Sequence, residues 1–255
     1  MSIKYSDIII IILMVVLFMP LDCSAVDAMD FSGFVEIADE VEGVILEIRY
    51  YSEYNFMGVR VYGYLEPVAL LGREAASALN EAAKEFSELG YAIKIFDAYR
   101  PQAAVDHFVR WAGDTGDTRM KEFFYPDVDK KDLIAKGYIA KRSGHSRGSA
   151  VDITLVDKKS GKEIDMGSPF DLFGEISHYS CKKSLSHEAI ANRKLLRDVM
   201  KKHGFKPLSV EWWHFTLKNE PWPNTYFTFP VKSLAGEDYE TVPSDPMNSL
   251  PRRDG

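Results

Sequence analysis

The segment Ala150–Asp157, AVDITLVD, narrows the fold more than any other stretch of this chain. Val151, Ile153 and Leu155 point one way; Ala150, Asp152 and Thr154 point the other. That is the period of a β-strand with one face in a hydrophobic core. An aspartate on the second face implies that this face borders a cleft rather than the core. His145 lies seven residues before Asp152, in the approach to the strand. On a straight strand that offset would send the two side chains to opposite faces. Gly148, between them, allows a bend that would aim both at one centre.

A second stretch, EWWHF from Glu211 to Phe215, poses a related problem. Its composition is strand-like, yet residues three apart oppose each other on a regular strand. Glu211 and His214 can approach one centre only if the backbone bulges or twists at Trp212-Trp213. The reading therefore predicts an irregularity there, of the kind common beside active sites. His145, Asp152 and His214 together are a donor set for catalytic zinc, which takes three protein ligands and leaves one position open. Each also has a plainer use: a histidine as a hydrogen-bonded structural residue, an aspartate as a turn cap.

Around these stretches the pattern predicts an α+β domain with an antiparallel sheet and flanking helices, since strands and helices do not alternate regularly. Val44–Tyr50 and Tyr91–Phe96 read as strands. A helix opens near Gly72, buries Ala75, Leu79, Ala82, Ala83 and Phe86, and stops at Gly90. Pro101 disfavours helix at Arg100, so the chain turns there and a helix follows over Gln102–Trp111. Residues 113–141 carry short helical pieces at most. A helix over Glu188–His203 buries Leu196, Val199 and Met200, with Gly204 at its end, and a strand follows over Val210–Leu217. Tyr54, Trp212 and Trp213 are assigned to wall and core, and His107, His178, His187 and His203 to structural positions.

The chain has 255 residues and a net charge of −7, with no long basic run. A nucleic-acid partner is therefore not expected. Lys4, the apolar run Ile8–Met19, Pro20 and the small residues around Ala25 read as a secretory signal over residues 1–25, because twelve apolar residues are too few to cross a bilayer core of roughly 30 Å. The expectation is an exported protein, periplasmic or extracellular, with no membrane attachment once processed. Removal of Cys23 would leave Cys181 without an intrachain disulfide partner. Residues 30–235 form the expected domain, and the polar stretch 236–255 reads as a loose tail.

The motif S-x-H-x-x-G-x-A-x-D, here Ser143 to Asp152, together with E-x-x-H, here Glu211 to His214, resembles the D-alanyl-D-alanine metallopeptidases. That superfamily spans DD-carboxypeptidases and the more distant Hedgehog signalling domains. SGHSRGSAVD, YNFMGVRVYGY (Tyr54–Tyr64), DAYRPQAAV (Asp97–Val105) and MGSPFD (Met166–Asp171) are closest to its D-Ala-D-Ala dipeptidase branch, with Ala98 where many relatives have glycine. The resemblance covers about Val44 to Leu217. It implies a Hedgehog/DD-peptidase-like fold and one zinc ion held by His145, Asp152 and His214. It further implies Glu211 as catalytic base, Arg100 as transition-state stabiliser, Asp171 as partner of the substrate's free amine and Ser143 as a pocket-lining residue. The implied substrate is a small D,D-dipeptide. A DD-carboxypeptidase or endopeptidase acting on peptidoglycan stems, and a non-catalytic zinc binder, are the alternatives. Without the resemblance, Phe170-Asp171 would serve as a helix N-cap and Arg100 as a surface ion-pair partner. The sequence is silent on oligomeric state.

Overall fold

A computed structural model describes residues 31–235. The expected signal segment, with Cys23, and the expected tail lie outside the described residues.

The chain enters through β1 (Phe34–Glu36) and a single turn of helix, α1 (Ile37–Glu40), then β2 (Ile45–Leu46), β3 (Leu70–Gly72) and the long helix α2 (Arg73–Glu88). Next come β4 (Tyr91–Asp97), α3 (Gln102–Gly113), the short α4 (Lys121–Phe124) and β5 (Ala150–Asp157). The chain closes with α5 (His187–Lys202), β6 (Phe205–Leu208) and β7 (Glu211–Leu217). Five strands form the main sheet in the order β2-β4-β5-β7-β6, while β1 and β3 make a separate antiparallel pair. Among the described residues no helix is long and apolar enough to cross a membrane.

Two expectations need correcting. The sheet is antiparallel except at one edge, where β2 runs parallel to β4. The strand expected over Val44–Tyr50 is only two residues long. Beyond Leu46 the backbone still donates from Glu47 to Ile95 and from Arg49 to Phe96, but it then turns, and Tyr50 is buried. Branched and aromatic residues here fill a core without extending the ladder, which periodicity alone cannot distinguish.

Register explains the division of labour between the two faces. Residues directly opposite in an antiparallel pair share a face. Ile93 faces Leu155, Ile95 faces Ile153 and Val151 faces Phe215. These six belong to the hydrophobic core, which α2 enters with Ala75, Leu79, Ala82, Ala83 and Phe86. Full burial of Leu79 and Phe86 stabilises the fold by about 1.5–3 kcal/mol each. Helix α2 ends where expected, with Gly90 at φ +91°. Helix α5 packs beside α2 and against β6.

The other face carries a polar row: Asp97 opposite Asp152, and Asp152 opposite His214. Two irregularities build it. On β4, Phe96 is bulged out of register, which moves Asp97 onto the face that Ile95 does not share. On β7, Phe215 pairs with Pro207 and Glu211 with Leu208, so Trp212, Trp213 and His214 span a gap that β6 crosses in one step. The irregularity expected at Trp212-Trp213 is thus present, and both tryptophans are buried. Tyr54, assigned to wall or core, is instead exposed, with its ring against Phe124 and under the Arg49 guanidinium.

Gly148 makes the bend before β5 at φ +71°. Its amide donates to the His145 carbonyl and its carbonyl accepts from Gly72. A Cβ here would overlap the Phe34 ring, 2.5 Å from Cε1. That ring is stacked on Trp222 and wedged among Tyr99, Phe227 and Phe229, so it has nowhere to go. Gly148→Ala should therefore destabilise the protein by about 3 kcal/mol, combining left-handed strain with overpacking. Thermal unfolding should show Tm lower by about 6–12 °C for a chain of this size; an unchanged Tm would refute the close packing.

Candidate active site

The turn after β4 and the turn before β5 are tied together. Arg100 N–H donates to the His145 carbonyl, and the His145 ring donates from Nδ1 to the Ala98 carbonyl at 2.6 Å. A carbonyl only accepts, so this bond fixes the proton on Nδ1 and leaves Nε2 bare in the neutral ring. His145 sits in a single 3-10 turn, Gly144–Arg147, whose N-cap is Ser143; the Ser143 hydroxyl accepts from the His145 amide.

Across the sheet His214 presents Nδ1, while its Nε2 lies 3.1 Å from Thr216 Oγ1. His145 Nε2 lies 3.0 Å from His214 Nδ1 and 3.3 Å from Asp152 Oδ1, and His214 Nδ1 lies 3.0 Å from that same oxygen. With Nε2–H donated to Thr216, two bare imidazole nitrogens and a carboxylate oxygen converge, each on the others. Electron pairs so placed repel unless a cation or proton sits among them. All three donor atoms fall within 4.8 Å of one another, and the outward nitrogen of each ring already has a partner that orients it. These residues fit a divalent metal ion.

Burial opposes ionisation of Asp152, but the neighbouring His145 and His214 hold its carboxyl well below the usual range. Burial likewise opposes a charge on His214, and the Asp152 carboxylate outweighs it, raising the imidazole. Glu211 approaches the group without joining it, with Oε2 3.9 Å from His214 Nδ1. Burial pushes its carboxyl up to about 7, helped by the charge of Asp152 and opposed by His214 and Arg100.

Arg100 is mostly enclosed, with 11% of its side chain exposed, rather than a surface partner. Its Nε donates to Asp97 Oδ2 at 2.8 Å, its Nη2 lies 3.5 Å from Asp152 Oδ2, and its guanidinium packs on the rings of Tyr50 and Phe108. Asp171 also lies buried, at φ +63°, in a loop and not at the head of a helix, so the N-cap alternative falls away. Its Oδ2 accepts from the Tyr50 hydroxyl at 2.8 Å. Burial first, and then the charge of Asp152, push this carboxyl well above the usual range.

Arg100, Ser143, His145, Asp152, Asp171, Glu211 and His214 all line one cavity of about 300 Å³. Sequence reasoning missed Asp97 and Tyr50. Asp97 accepts from Tyr64 and Arg100 and holds the guanidinium against the site, while Tyr50 supports Asp171. A carboxylate closing an apolar strand directly before a turn was the available signal for Asp97. Tyr50 carried none, being hidden in an apparent strand. His107 and His203 stay structural: His107 Nδ1 accepts from the Tyr62 amide, and His203 meets Glu85 at the end of α5.

Residues 30–232 match the family model described as D-ala-D-ala dipeptidase. The chain is 42% identical over 201 residues to a D-alanyl-D-alanine dipeptidase of Enterococcus faecalis, covering 78% of this chain and 98% of that protein. One of the same name from Streptomyces coelicolor is 40% identical over 198 residues, with the same coverage. Another, from Escherichia coli, is 32% identical over 188 residues, covering 74% of this chain and 86% of that protein.

Proposed function

The chain belongs to the D-Ala-D-Ala dipeptidase family of peptidases, and we propose that it hydrolyses the free dipeptide D-Ala-D-Ala to two D-alanines with zinc as its metal. The observation that carries this reading is the single small cavity shared by the three-donor group, Glu211, Arg100 and Asp171. About 300 Å³ is the low end of small-molecule sites and suits a dipeptide better than a polymer.

Two imidazole nitrogens and one carboxylate oxygen are a borderline donor set that suits zinc. A zinc ion held by His145, Asp152 and His214 would supply Lewis acidity for amide hydrolysis. The chain's own groups do the rest. Glu211 takes a proton from the attacking water and returns it to the departing amide nitrogen, so that one amide and one water become a carboxylate and an amine. The Arg100 guanidinium faces the oxyanion that develops at the scissile carbonyl. Asp97 pins that guanidinium in place, so little reorganisation is needed as charge builds. Asp171 receives the ammonium group of the substrate. A buried carboxyl pushed upward is stabilised in its ionised form by the cation it binds, which makes Asp171 selective for a free amine. Ser143 keeps the His145 turn in shape and lines the cavity beside it.

The test compares D-Ala-D-Ala with its N-acetyl derivative, using purified zinc-loaded protein. The free dipeptide should be cleaved with kcat/KM at least about 100-fold higher, because a blocked amine leaves a buried carboxylate without its counter-charge. Preference for the blocked dipeptide, or for a stem pentapeptide, would instead assign the site to a carboxypeptidase or endopeptidase.

A further inference from the structure

Arg193 lies on the buried side of α5 and is 3% exposed, yet its hydrogen bonds all go to neutral oxygens. Nε donates to the Met166 carbonyl at 2.6 Å, Nη1 to the carbonyls of Ile176 and His178 at 2.9 and 3.3 Å, and Nη2 to Ser168 Oγ at 3.0 Å. Burial pulls the guanidinium down to about 10, so holding a cation here works against solvation.

The positions of those four oxygens give the arrangement its meaning. Met166 and Ser168 precede Asp171; Ile176 and His178 follow it. One planar group with five donors in a fixed fork thus closes both ends of the loop over residues 166–178. Near the middle of that loop stands Asp171, a non-glycine residue at φ +63°, a conformation that persists only where its surroundings enforce it. Inside the loop, Ser177 Oγ donates to the Leu172 carbonyl and lies within hydrogen-bonding distance of Ser168 Oγ. Ser168 Oγ also accepts from Trp212 Nε1 at 3.0 Å, so the same knot touches the irregular stretch of β7.

We infer that Arg193 is a positioning residue that holds Asp171 at the amine-binding end of the cavity, and so governs how tightly the substrate is held. The inference rests on the reading of Asp171 as the ammonium partner. Arg193 touches neither substrate nor metal-binding residues, so its removal should act on binding more than on bond cleavage.

Arg193→Lys keeps a cation but cannot reach all four oxygens. In zinc-loaded, full-length protein it should raise KM for D-Ala-D-Ala about tenfold, or about 1.4 kcal/mol, with kcat per bound zinc within about threefold of wild type. Placed in a Glu211→Gln background, the same change should weaken calorimetric binding of the dipeptide by a similar factor. Ser168→Ala leaves the three carbonyl bonds of Arg193 intact but also removes the acceptor of Trp212 Nε1. It should raise KM about threefold, with kcat per bound zinc within about threefold of wild type, and it decides the matter if Arg193→Lys does not fold, a fall in kcat alone counting against the inference. A merely structural arginine would lower the fraction of active protein, and hence kcat per chain, without moving KM. Unchanged KM and affinity in the folded variants, beside an active wild type, would overturn the inference alone. A wild type that leaves D-Ala-D-Ala intact would overturn the proposed function and this inference with it.

Discussion

Asp152→Ala is expected to lose the metal and the reaction together. Wild-type protein equilibrated with zinc and freed of excess should carry about one ion per chain, and the variant close to none. Hydrolysis of D-Ala-D-Ala should fall by at least about 10³-fold, since a Lewis acid contributes several kcal/mol to such a barrier. The expectation follows from the geometry. Asp152 Oδ1 lies 3.3 Å from His145 Nε2 and 3.0 Å from His214 Nδ1, and it is the one anionic member of the group. Removing it leaves two neutral nitrogens, which bind a divalent ion far more weakly than three donors including a charge. Stability supplies a readout independent of activity. An ion that binds only the folded chain raises Tm with its concentration, so added zinc should raise Tm of the wild type and leave the variant unmoved. Stoichiometric zinc in Asp152→Ala would show that the ion is held elsewhere.

How much of this was legible beforehand depends on how local the cause is. Helices α2, α3 and α5, and strands β4, β5 and β7, show in the sequence because their periodicity is intrinsic to the segment. Strands β1 and β3 span three residues each and exist only because each completes the other from a distant part of the chain. Strand β2 showed only inside a longer expected strand. The four-residue β6 is too short and too weakly alternating to read, although its partner β7 follows directly. The same distinction runs through the site. His145, Asp152 and His214 announce themselves as residue types, and Gly148 shows where the chain must bend. Their meeting depends on the register of Asp152 against His214, to which each strand contributes half. Asp97 escaped notice because its side of the sheet is set by a bulge at Phe96, and a seven-residue strand gives no sign that one residue is out of step. Arg193 was readable in principle: Ala189, Arg193, Leu196 and Met200 fall on one stripe of α5, and all four are buried. A charged residue on an apolar stripe marks a specific internal task, although the carbonyls it serves come from another part of the chain.

Glu211→Gln should separate chemistry from binding. The substitution preserves shape and removes the ability to accept a proton. Because Glu211 stands outside the three-donor group, zinc content should stay at about one ion per chain and KM should change little. The rate constant kcat should drop by about 10³-fold, within the range a positioned acid–base group supplies. Purified variants assayed at saturating dipeptide, with zinc measured on the same samples, give both numbers. The contrast with Asp152→Ala is the discriminating point, for both residues border the same cavity and both substitutions remove a carboxylate. If both variants lost zinc, Glu211 would be a fourth ligand and the proton would need another carrier. If Glu211→Gln kept both zinc and activity, the bulge at Trp212-Trp213 would have no catalytic purpose. That outcome would be hard to reconcile with the fold, since a regular β7 would turn Glu211 away from His214, and the irregular pairing with β6 brings their atoms to 3.9 Å.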